Sequence, residues 1–279
     1  MTVLRESQAF CAETMRKHAK SFYLSTRFLP RAKREAIEAL YAFFRCVDDT
    51  ADEGRHSSAW RNLQLDHFRC DVEGLSGRHY RGDPLWFPAL AAAYRDFALD
   101  REPLVQLIDG CSRDVGGVQI ATFDDLESYA AAVAGTVGRS VIPILGAADS
   151  RSLAEAEQLG IAMQYTNILR DVREDRAAGR SYLPLAQFPG EPVSGVMRRV
   201  AAEARSRYAV LPSLASRLPN DGSRAALLMA GTFYENILRG VEMRGFDPSA
   251  ERVYVSGAKK IRLAAACFLN AYTGFAIIR

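Results

Sequence analysis

The sequence predicts an all-α protein that folds as a single domain over residues 1–279. Long stretches carry apolar residues at the spacing of an amphipathic helix, and the alternating β-branched runs typical of strands are almost absent. The composition, 48% hydrophobic and 25% charged, is that of an ordinary globular protein. Because no proline-, glycine- or serine-rich linker, internal repeat or low-complexity segment interrupts the chain, we expect one helical bundle.

Proline and glycine mark where the predicted helices end. These breaks fall at residue 30 and over 74–84, 184–195, 219–222 and 245–248. Between the breaks, apolar periodicity predicts helices, in chain order, over 4–25, 31–53, 86–99, 102–116, 124–146, 151–177, 193–217, 222–244 and 257–276.

Three of these helices carry the features that point to function. Helix 31–53 has apolar residues at helical spacing, namely Ile37, Leu40, Tyr41, Phe44 and Val47. Helix 151–177 is likewise apolar ahead of its acidic end. Helix 124–146 has a small-sided segment in which Gly135 and Gly138 each weaken the helix by about 1 kcal/mol relative to alanine. Close helix packing and room for a bound chain are both explanations for these glycines.

The first acidic cluster, Asp48, Asp49 and Asp52, closes helix 31–53. At about 100° per residue, Asp48 and Asp52 share a face with Tyr41 and Arg45, and Asp49 lies at the edge of that face. An isolated acidic pair on a helix is usually a solvated surface. Here the same helix is strongly apolar, so its carboxylates border the core.

The second cluster, Asp171 and Asp175, lies on one stripe of helix 151–177 with Gln164 and Asn167. Carboxylates at this spacing lie about 5–6 Å apart and repel, so two such clusters need a cation. Oxygen ligands suit Mg²⁺, with Mn²⁺ as the alternative. We expect the metal ligands to be Asp48, Asp49, Asp52, Asn167, Asp171 and Asp175.

Basic side chains near the clusters would hold an anion bound to this metal. Arg45 and Arg170 are the sharper candidates, because a planar guanidinium grips phosphate through two bonds. For Arg170, an ion pair with an acidic neighbour is an equal alternative. Lys20 and Arg180 are further candidates. His18 has no second histidine or cysteine at ligand spacing, which favours a hydrogen-bonding role.

Three ordered motifs span roughly residues 14–262. The first combines HAKSFY at 18–23 with RCVDD at 45–49, and the second is YAAAVAGTVG at 129–138. The third combines NILRDV at 167–172 with GRSYLP at 179–184. Together they resemble the squalene/phytoene synthase family, the bacterial head-to-head trans-isoprenyl diphosphate synthases.

The resemblance implies the isoprenoid synthase fold, a single-domain helical bundle with a central apolar cavity, and two prenyl diphosphate molecules as substrates. Its implied catalytic residues are Asp48, Asp52, Asp171, Asp175, Tyr41 and Arg45. Its implied substrate-binding residues are His18, Lys20, Ser21, Phe22, Val133, Val137, Gly138, Gln164, Asn167, Arg170, Arg180 and Tyr182.

The implied reaction joins two farnesyl or geranylgeranyl diphosphates through a cyclopropyl diphosphate to a C30 or C40 hydrocarbon. The HAKSF segment favours the phytoene or dehydrosqualene type, in carotenoid or triterpenoid biosynthesis. The alternatives are presqualene diphosphate or squalene synthesis for hopanoids and, more remotely, a terpene cyclase or a non-catalytic helical scaffold. A need for NADPH stays open, because squalene-forming members use it without a G-x-G-x-x-G fingerprint.

Composition limits the remaining functions. A net charge of +3 is too small to indicate nucleic-acid binding, and five scattered cysteines argue against a disulfide framework. Neither a signal pattern nor a stretch of ~20 uncharged apolar residues is evident, so we expect a cytoplasmic protein. The apolar segments 264–269 and 275–279 add the hypothesis of peripheral association with the inner membrane. The sequence does not determine the oligomeric state.

Two interpretations concern single side chains. Asp109 and Asp114 are weaker acidic signals, and we interpret both as structural. Product length is expected to depend on a bulky residue one or two turns along the cavity. Phe22 is preferred for this role, because Phe44 and Tyr165 are expected to point into neighbouring helices.

Overall fold

A computed structural model describes residues 3–77 and 84–273, and all regular secondary structure in these two ranges is helical. The all-α prediction is therefore confirmed. The helices, in chain order, are α1 (Val3–His18), α2 (Lys20–Thr26), α3 (Arg31–Asp52), α4 (Ser58–Glu73), α5 (Phe87–Asp96), α6 (Glu102–Val115), α7 (Phe123–Ala130), α8 (Thr136–Leu145), α9 (Ser150–Ala177), α10 (Val193–Tyr208), α11 (Leu211–Ser216), α12 (Ser223–Met243) and α13 (Gly257–Thr273).

The structure differs from the predicted helices in three places. Helix α4 was not predicted, because only Leu65 and Val72 of its residues are fully buried and its apolar pattern is weak. The predicted helix 4–25 divides at Ala19, where φ −128° and ψ 54° are not helical. The predicted helix 193–217 divides into α10 and α11. The predicted helix 257–276 is confirmed to residue 273, and its last residues lie outside the described ranges.

Helices α7 and α8 are joined by a π-helical turn, Ala131–Gly135, and form one continuous run against α6 and α9. This run, Phe123–Leu145, is long and apolar enough to cross a membrane by length and composition, contrary to our expectation. In its most apolar window, 44% of the residues are buried inside the protein. Inner helices of soluble bundles pass the same test, and this run also lines the cavity described below.

Helices α8 and α9 approach closely because glycine faces backbone on both sides of the contact. A Cβ on Gly138 would overlap the carbonyl oxygen of Ala156, and a Cβ on Gly160 would overlap that of Ala134. The family resemblance implied that Gly138 makes room for a substrate chain, with close helix packing as the alternative. Gly138 does line the cavity, but the backbone of α9 is what excludes a side chain there. Close packing is thus the physical reason for this glycine.

Helix α3 crosses the inside of the bundle and packs against α1, α5, α6 and α8. Its apolar side is fully buried at Leu40, Phe43 and Val47. Phe43 packs edge-on against Trp86, with ring centroids 5.1 Å apart. This packing holds the last turn of α3, with its aspartates, beside the cavity.

Candidate active site

An apolar cavity of about 380 Å³ lies between α2, α3, α6, α8, α9 and α12. It is lined along α3 from Ile37 to Asp48 and along α9 from Ala156 to Asn167. Each interval covers eleven residue-to-residue steps, which is about 17 Å of helix. The polar end of the cavity is at Asp48 and Asn167, and the opposite end is apolar. The predicted central apolar cavity is therefore present.

The carboxylates of α3 lie at the polar mouth, where Asp48, Asp49 and Asp52 are each about half exposed. Arg45 donates to Asp49, with an Nε–Oδ2 distance of 3.0 Å, and its Nη1 lies 3.8 Å from Asp48. Arg180, which follows α9, pairs with Asp52 at 2.5 Å. The two acidic helices thus meet at one mouth, and two of the predicted basic residues, Arg45 and Arg180, are there.

On α9, Asp171 is held by two arginines. Arg170 donates to both of its oxygens, at 2.7 and 2.6 Å, and Arg252 approaches the same two oxygens at 2.8 and 3.0 Å. Arg170 therefore makes the ion pair that was its alternative role, and it is absent from the cavity lining. Arg252 was not predicted, because it lies in the loop after α12 and shares no helix or motif with Asp171.

The remaining carboxylates repel one another in partly buried surroundings. Burial, and then the neighbouring Asp52, raise the pKa of Asp48 to about 6. Burial, and then Asp171, raise the pKa of Asp175 to about 6. Both shifts mean that the charged form is disfavoured in the protein alone, so a cation at this mouth would stabilise it.

The residues at the mouth fit a Mg²⁺ ion. Their donor atoms are all oxygen, and Oδ1 of Asn167 is buried without a hydrogen-bond partner, while its Nδ2 donates to Gln164 at 3.2 Å. In the described ranges, no three acidic, histidine or cysteine side chains already converge on a metal position. Mg²⁺ typically binds one or two carboxylates together with substrate phosphates, which accommodates that geometry. The residues that would hold it are Asp48, Asp49, Asp52, Asn167, Asp171 and Asp175. Of these, Asp49, Asp52 and Asp171 are paired with arginines in this structure.

A second polar group at the mouth was missed by the sequence interpretation. Asp114 of α6 lines the cavity and accepts hydrogen bonds from the hydroxyls of Tyr129 and Tyr182, each at 3.0 Å. The two tyrosine rings stack with centroids 5.1 Å apart. Burial raises the pKa of Asp114 and of both phenols, so the tyrosines remain protonated donors. Asp114 thus faces the cavity, which its interpretation as a structural residue did not anticipate, whereas Asp109 is about half exposed and pairs with Arg69 outside the cavity.

The other predicted site residues, Tyr41 among the catalytic ones and the rest substrate-binding, divide into two groups. Those in the cavity wall are Phe22, Tyr41, Val133, Val137, Gly138, Gln164 and Asn167. His18, Lys20 and Ser21 lie at the junction of α1 and α2 and are not in that wall, because the break at Ala19 turns only the later residues of α2 inward. Phe44 also lines the cavity, contrary to expectation, while Tyr165 is buried outside it beside Arg207.

Comparison with known proteins places this geometry in a family. The family model for squalene/phytoene synthase matches residues 15–259. The phytoene synthase of Mycobacterium tuberculosis is 31% identical over 98% of this chain and 94% of its own length. Phytoene synthase 2 of rice, Oryza sativa, is 33% identical over 90% of this chain and 67% of its own length.

Solved structures agree with the sequence relatives. A dehydrosqualene synthase crystallised with a ligand is 27% identical and superposes with a TM-score of 0.84, over 96% of this chain and 98% of that one. A squalene synthase from Alicyclobacillus acidocaldarius is also 27% identical, with a TM-score of 0.78 over 88% of this chain and 96% of that one. The fold is thus the isoprenoid synthase fold. The chain belongs to the squalene/phytoene synthase family and condenses two prenyl diphosphates head to head.

Proposed function

We propose that the protein joins two C20 geranylgeranyl diphosphates to phytoene, as a step of carotenoid biosynthesis. The observation that carries this choice is the group of small side chains at the apolar end of the cavity, Ser25, Thr26, Ala226 and Ala230, which lie beside the larger Leu29 and Leu227. Both hydroxyls there are turned into their own helix, since Ser25 donates to the Phe22 carbonyl at 2.8 Å and Thr26 to that of Tyr23 at 3.0 Å. A fourth isoprene unit, about one helical turn in length, therefore meets small, satisfied side chains. The similarity to phytoene synthases supports the same choice.

The residues of the mouth bind and orient the diphosphates. Mg²⁺, when bound, supplies charge that polarises the diphosphate oxygens and stabilises the departing anion. Arg45 and Arg180 add positive charge at the same mouth. The side-chain oxygen of Asn167, which has no hydrogen-bond partner, is available as a ligand for the metal. Asp114 accepts hydrogen bonds from the Tyr129 and Tyr182 hydroxyls, and this polar cluster fixes the position of the Asp114 carboxylate at the cavity wall.

The apolar wall protects the carbocation that diphosphate departure leaves behind. Phe22, Phe44 and Val137 line the space next to the mouth and exclude water, which would trap the cation as an alcohol. The double bond of the second substrate attacks this cation, and proton loss closes the cyclopropyl diphosphate. A second departure of diphosphate opens the ring, and loss of another proton gives phytoene without a reductant.

A second candidate is dehydrosqualene synthesis from C15 farnesyl diphosphate, which the TM-score of 0.84 with a dehydrosqualene synthase favours. Incubation with Mg²⁺ and either the C15 or the C20 diphosphate, with and without NADPH, followed by mass analysis of the hydrocarbon, separates the two candidates. We expect a C40 product from the C20 substrate that is independent of NADPH. A C30 product formed in preference would contradict the proposal, and a hydrogenated C30 product seen only with NADPH would indicate squalene synthesis.

Filling the small-sided end tests the structural basis of this choice. Ala226→Leu or Ala230→Leu should lower kcat/KM for the C20 substrate relative to the C15 substrate by about 10-fold or more, as pocket discrimination of a few methylene groups allows. Ala225→Leu is the matched control, because Ala225 is buried on the same helix but is absent from the cavity lining. An unchanged C20/C15 ratio in both cavity variants would show that chain length is limited elsewhere.

A further inference from the structure

Helix α13 presents an exposed apolar face to solvent. Ile261 is 69% exposed, Phe268 36% and Tyr272 47%, and these positions are spaced so that they share one side of the helix. Phe28, which follows α2, is 39% exposed and extends the same surface. The ring centroids of Phe28 and Phe268 are 5.5 Å apart, and those of Phe268 and Tyr272 are 4.6 Å apart. We call Phe28, Ile261, Phe268 and Tyr272 the aromatic face.

Cations lie on the same helix as the aromatic face and next to Phe28, with Arg262 about 100° from Ile261 around the helix. Helix α13 carries Lys259, Lys260 and Arg262 and no acidic residue, and Arg27 precedes Phe28. None of these four cations forms an ion pair with an acidic group of the described ranges. Burial lowers the pKa of Lys260, and the nearby Lys20 lowers it further.

The aromatic face lies directly outside the apolar end of the cavity. In the turn after α2, Leu29 lines the cavity, while its neighbour Phe28 packs outside against Phe268. This turn lies so close to the start of α12 that a Cβ on Gly222 would overlap the Phe28 carbonyl oxygen. Helix α13 in turn packs on α12, whose Ala226 lines the cavity. One turn of chain therefore separates the apolar cavity from the exposed surface.

We propose that the aromatic face docks onto a bilayer surface that contains anionic lipids. Exposed aromatic and aliphatic side chains enter the boundary between headgroups and acyl chains, and the cations around them contact the acidic headgroups. The absence of acidic residues from α13 is what favours an anionic lipid surface over a neutral one. The docking proposal depends only on the residues of this surface and not on the identity of the substrate. Its consequence, that a water-insoluble hydrocarbon leaves the cavity into lipid, rests on the proposed function.

Vesicle flotation of the whole protein tests the proposal. At about 0.1 M salt we expect the protein to float with vesicles of phosphatidylglycerol and phosphatidylcholine, and to remain unbound with phosphatidylcholine alone. Ile261→Ser combined with Tyr272→Ser should lower the partition coefficient roughly tenfold or more. Lys259→Gln combined with Arg262→Gln should have an effect of similar size, since each cation near an anionic surface contributes about 1 kcal/mol.

Matched variants separate this surface from general stickiness and net charge. Leu63→Ser removes an apolar side chain that is 53% exposed on α4, and Arg95→Gln with Arg151→Gln removes two exposed charges elsewhere. Both controls should bind anionic vesicles within about twofold of the unmodified protein. Ile261→Ser alone changes a side chain that is 69% exposed, so its effect on binding does not depend on refolding of the core.

Two results would overturn the proposal. One is vesicle binding that is absent, or that is equal in the α13 variants and the unmodified protein. The other is a dimer in sedimentation equilibrium that the Ile261→Ser, Tyr272→Ser variant dissociates without any vesicle binding, because the face would then join two copies of the chain. Hydrocarbon synthesis measured in detergent micelles is scored separately. A missing C40 product there would contradict the proposed function and leave the flotation result unaffected.

Discussion

At the level of single residues, the carboxylates at the cavity mouth are held in two different ways. Asp48 is crowded by Asp52, and its pKa is raised to about 6, chiefly by burial. Asp171 instead accepts three hydrogen bonds from Arg170 and Arg252, and Nε of Arg252 also lies 2.8 Å from its Oδ1. Asp48 is therefore destabilised in its charged form, whereas Asp171 is stabilised by its counter-charges.

This difference predicts opposite effects of two conservative substitutions on stability. Asp48→Asn should slightly raise the free energy of unfolding at pH 8. That gain should shrink as the pH falls through about 6 and vanish below the ordinary aspartate pKa of 3.8, where the native side chain is also neutral. Asp171→Asn should lower the free energy of unfolding by about 1–3 kcal/mol, because it leaves Arg170, whose side chain is 14% exposed, without its counter-charge.

Urea unfolding at pH 4 and pH 8, without metal, measures both effects, and turnover with Mg²⁺ should fall by orders of magnitude in each variant. Equal loss of stability in the two variants would contradict the distinction between the two carboxylates.

Asp114 predicts a different outcome, because it acts through the two tyrosines that it holds. Asp114→Asn keeps the shape of the side chain but weakens both hydrogen bonds, so kcat should fall about 10–100-fold, the range for groups that orient others around a metal site. Tyr182→Phe removes one of these bonds and should have a smaller effect. Asp109→Asn, on the same helix but paired with Arg69 outside the cavity, should leave kcat unchanged. If Asp114→Asn and Asp109→Asn have the same kcat, Asp114 has no role in the reaction.

At the level of secondary structure, the cavity depends on how closely α8 and α9 pack. The π-helical turn Ala131–Gly135 and the two glycines at the contact let backbone meet backbone, and Val133, Val137 and Gly138 then line the cavity beside that contact. Turns with π-helical hydrogen bonding are frequent at functional sites because they redirect side chains within a helix. The wall of the cavity and the α8–α9 contact are therefore one structural feature.

Adding a single methyl group at this contact should separate the helices. Gly160→Ala would overlap the carbonyl oxygen of Ala134 and should cost about 1–3 kcal/mol of unfolding free energy. Gly74→Ala is the control, because nothing lies within 4 Å of the added Cβ and its φ of −73° suits any residue. It should be neutral or stabilising by about 0.4–1 kcal/mol. Thermal or urea unfolding compares the two variants, and equal stability would argue against the close approach.

At the level of the whole molecule, the polar mouth is assembled from distant parts of the chain. Asp48 comes from α3, Asp114 from α6 and Asp171 from α9, while Arg252 comes from the loop after α12. No complete three-ligand metal position is formed within residues 3–77 and 84–273, and several carboxylates are paired with arginines instead. Substrate phosphates must then supply the missing ligands and compete for those arginines.

This arrangement predicts that metal and diphosphate bind cooperatively. Calorimetric titration with Mg²⁺ should show weak binding to the protein alone. The apparent Kd should fall roughly tenfold or more in the presence of inorganic pyrophosphate, because the anion completes the coordination of the metal. Asp48→Asn should reduce this gain, whereas Asp109→Asn should not, and excess chelator should abolish turnover. Equal Mg²⁺ affinity with and without pyrophosphate would mean that the site is preformed.

The sequence alone determined the features that arise from local periodicity. The spacing of apolar residues predicted most of the helices, and the 3.6-residue repeat placed Tyr41, Arg45 and Asp48 on one face of α3, where all three line the cavity. The order of the motifs likewise indicated the family, because each motif is a short segment that can be recognised directly in the sequence. These inferences need only neighbours within one helix or one segment.

The tertiary structure decided whatever depends on contacts between distant segments. Arg252 and Asp171 are 81 positions apart in the sequence, and Tyr182 and Asp114 are 68 positions apart. Spacing along the chain therefore could not predict either pair. The reason for Gly138 likewise became visible only once the backbone of α9 lay against it. Periodicity shows which side of a helix faces inward, but only packing shows what that side meets. The partners of each buried charge, and the exposed face of α13, are therefore properties of the folded bundle.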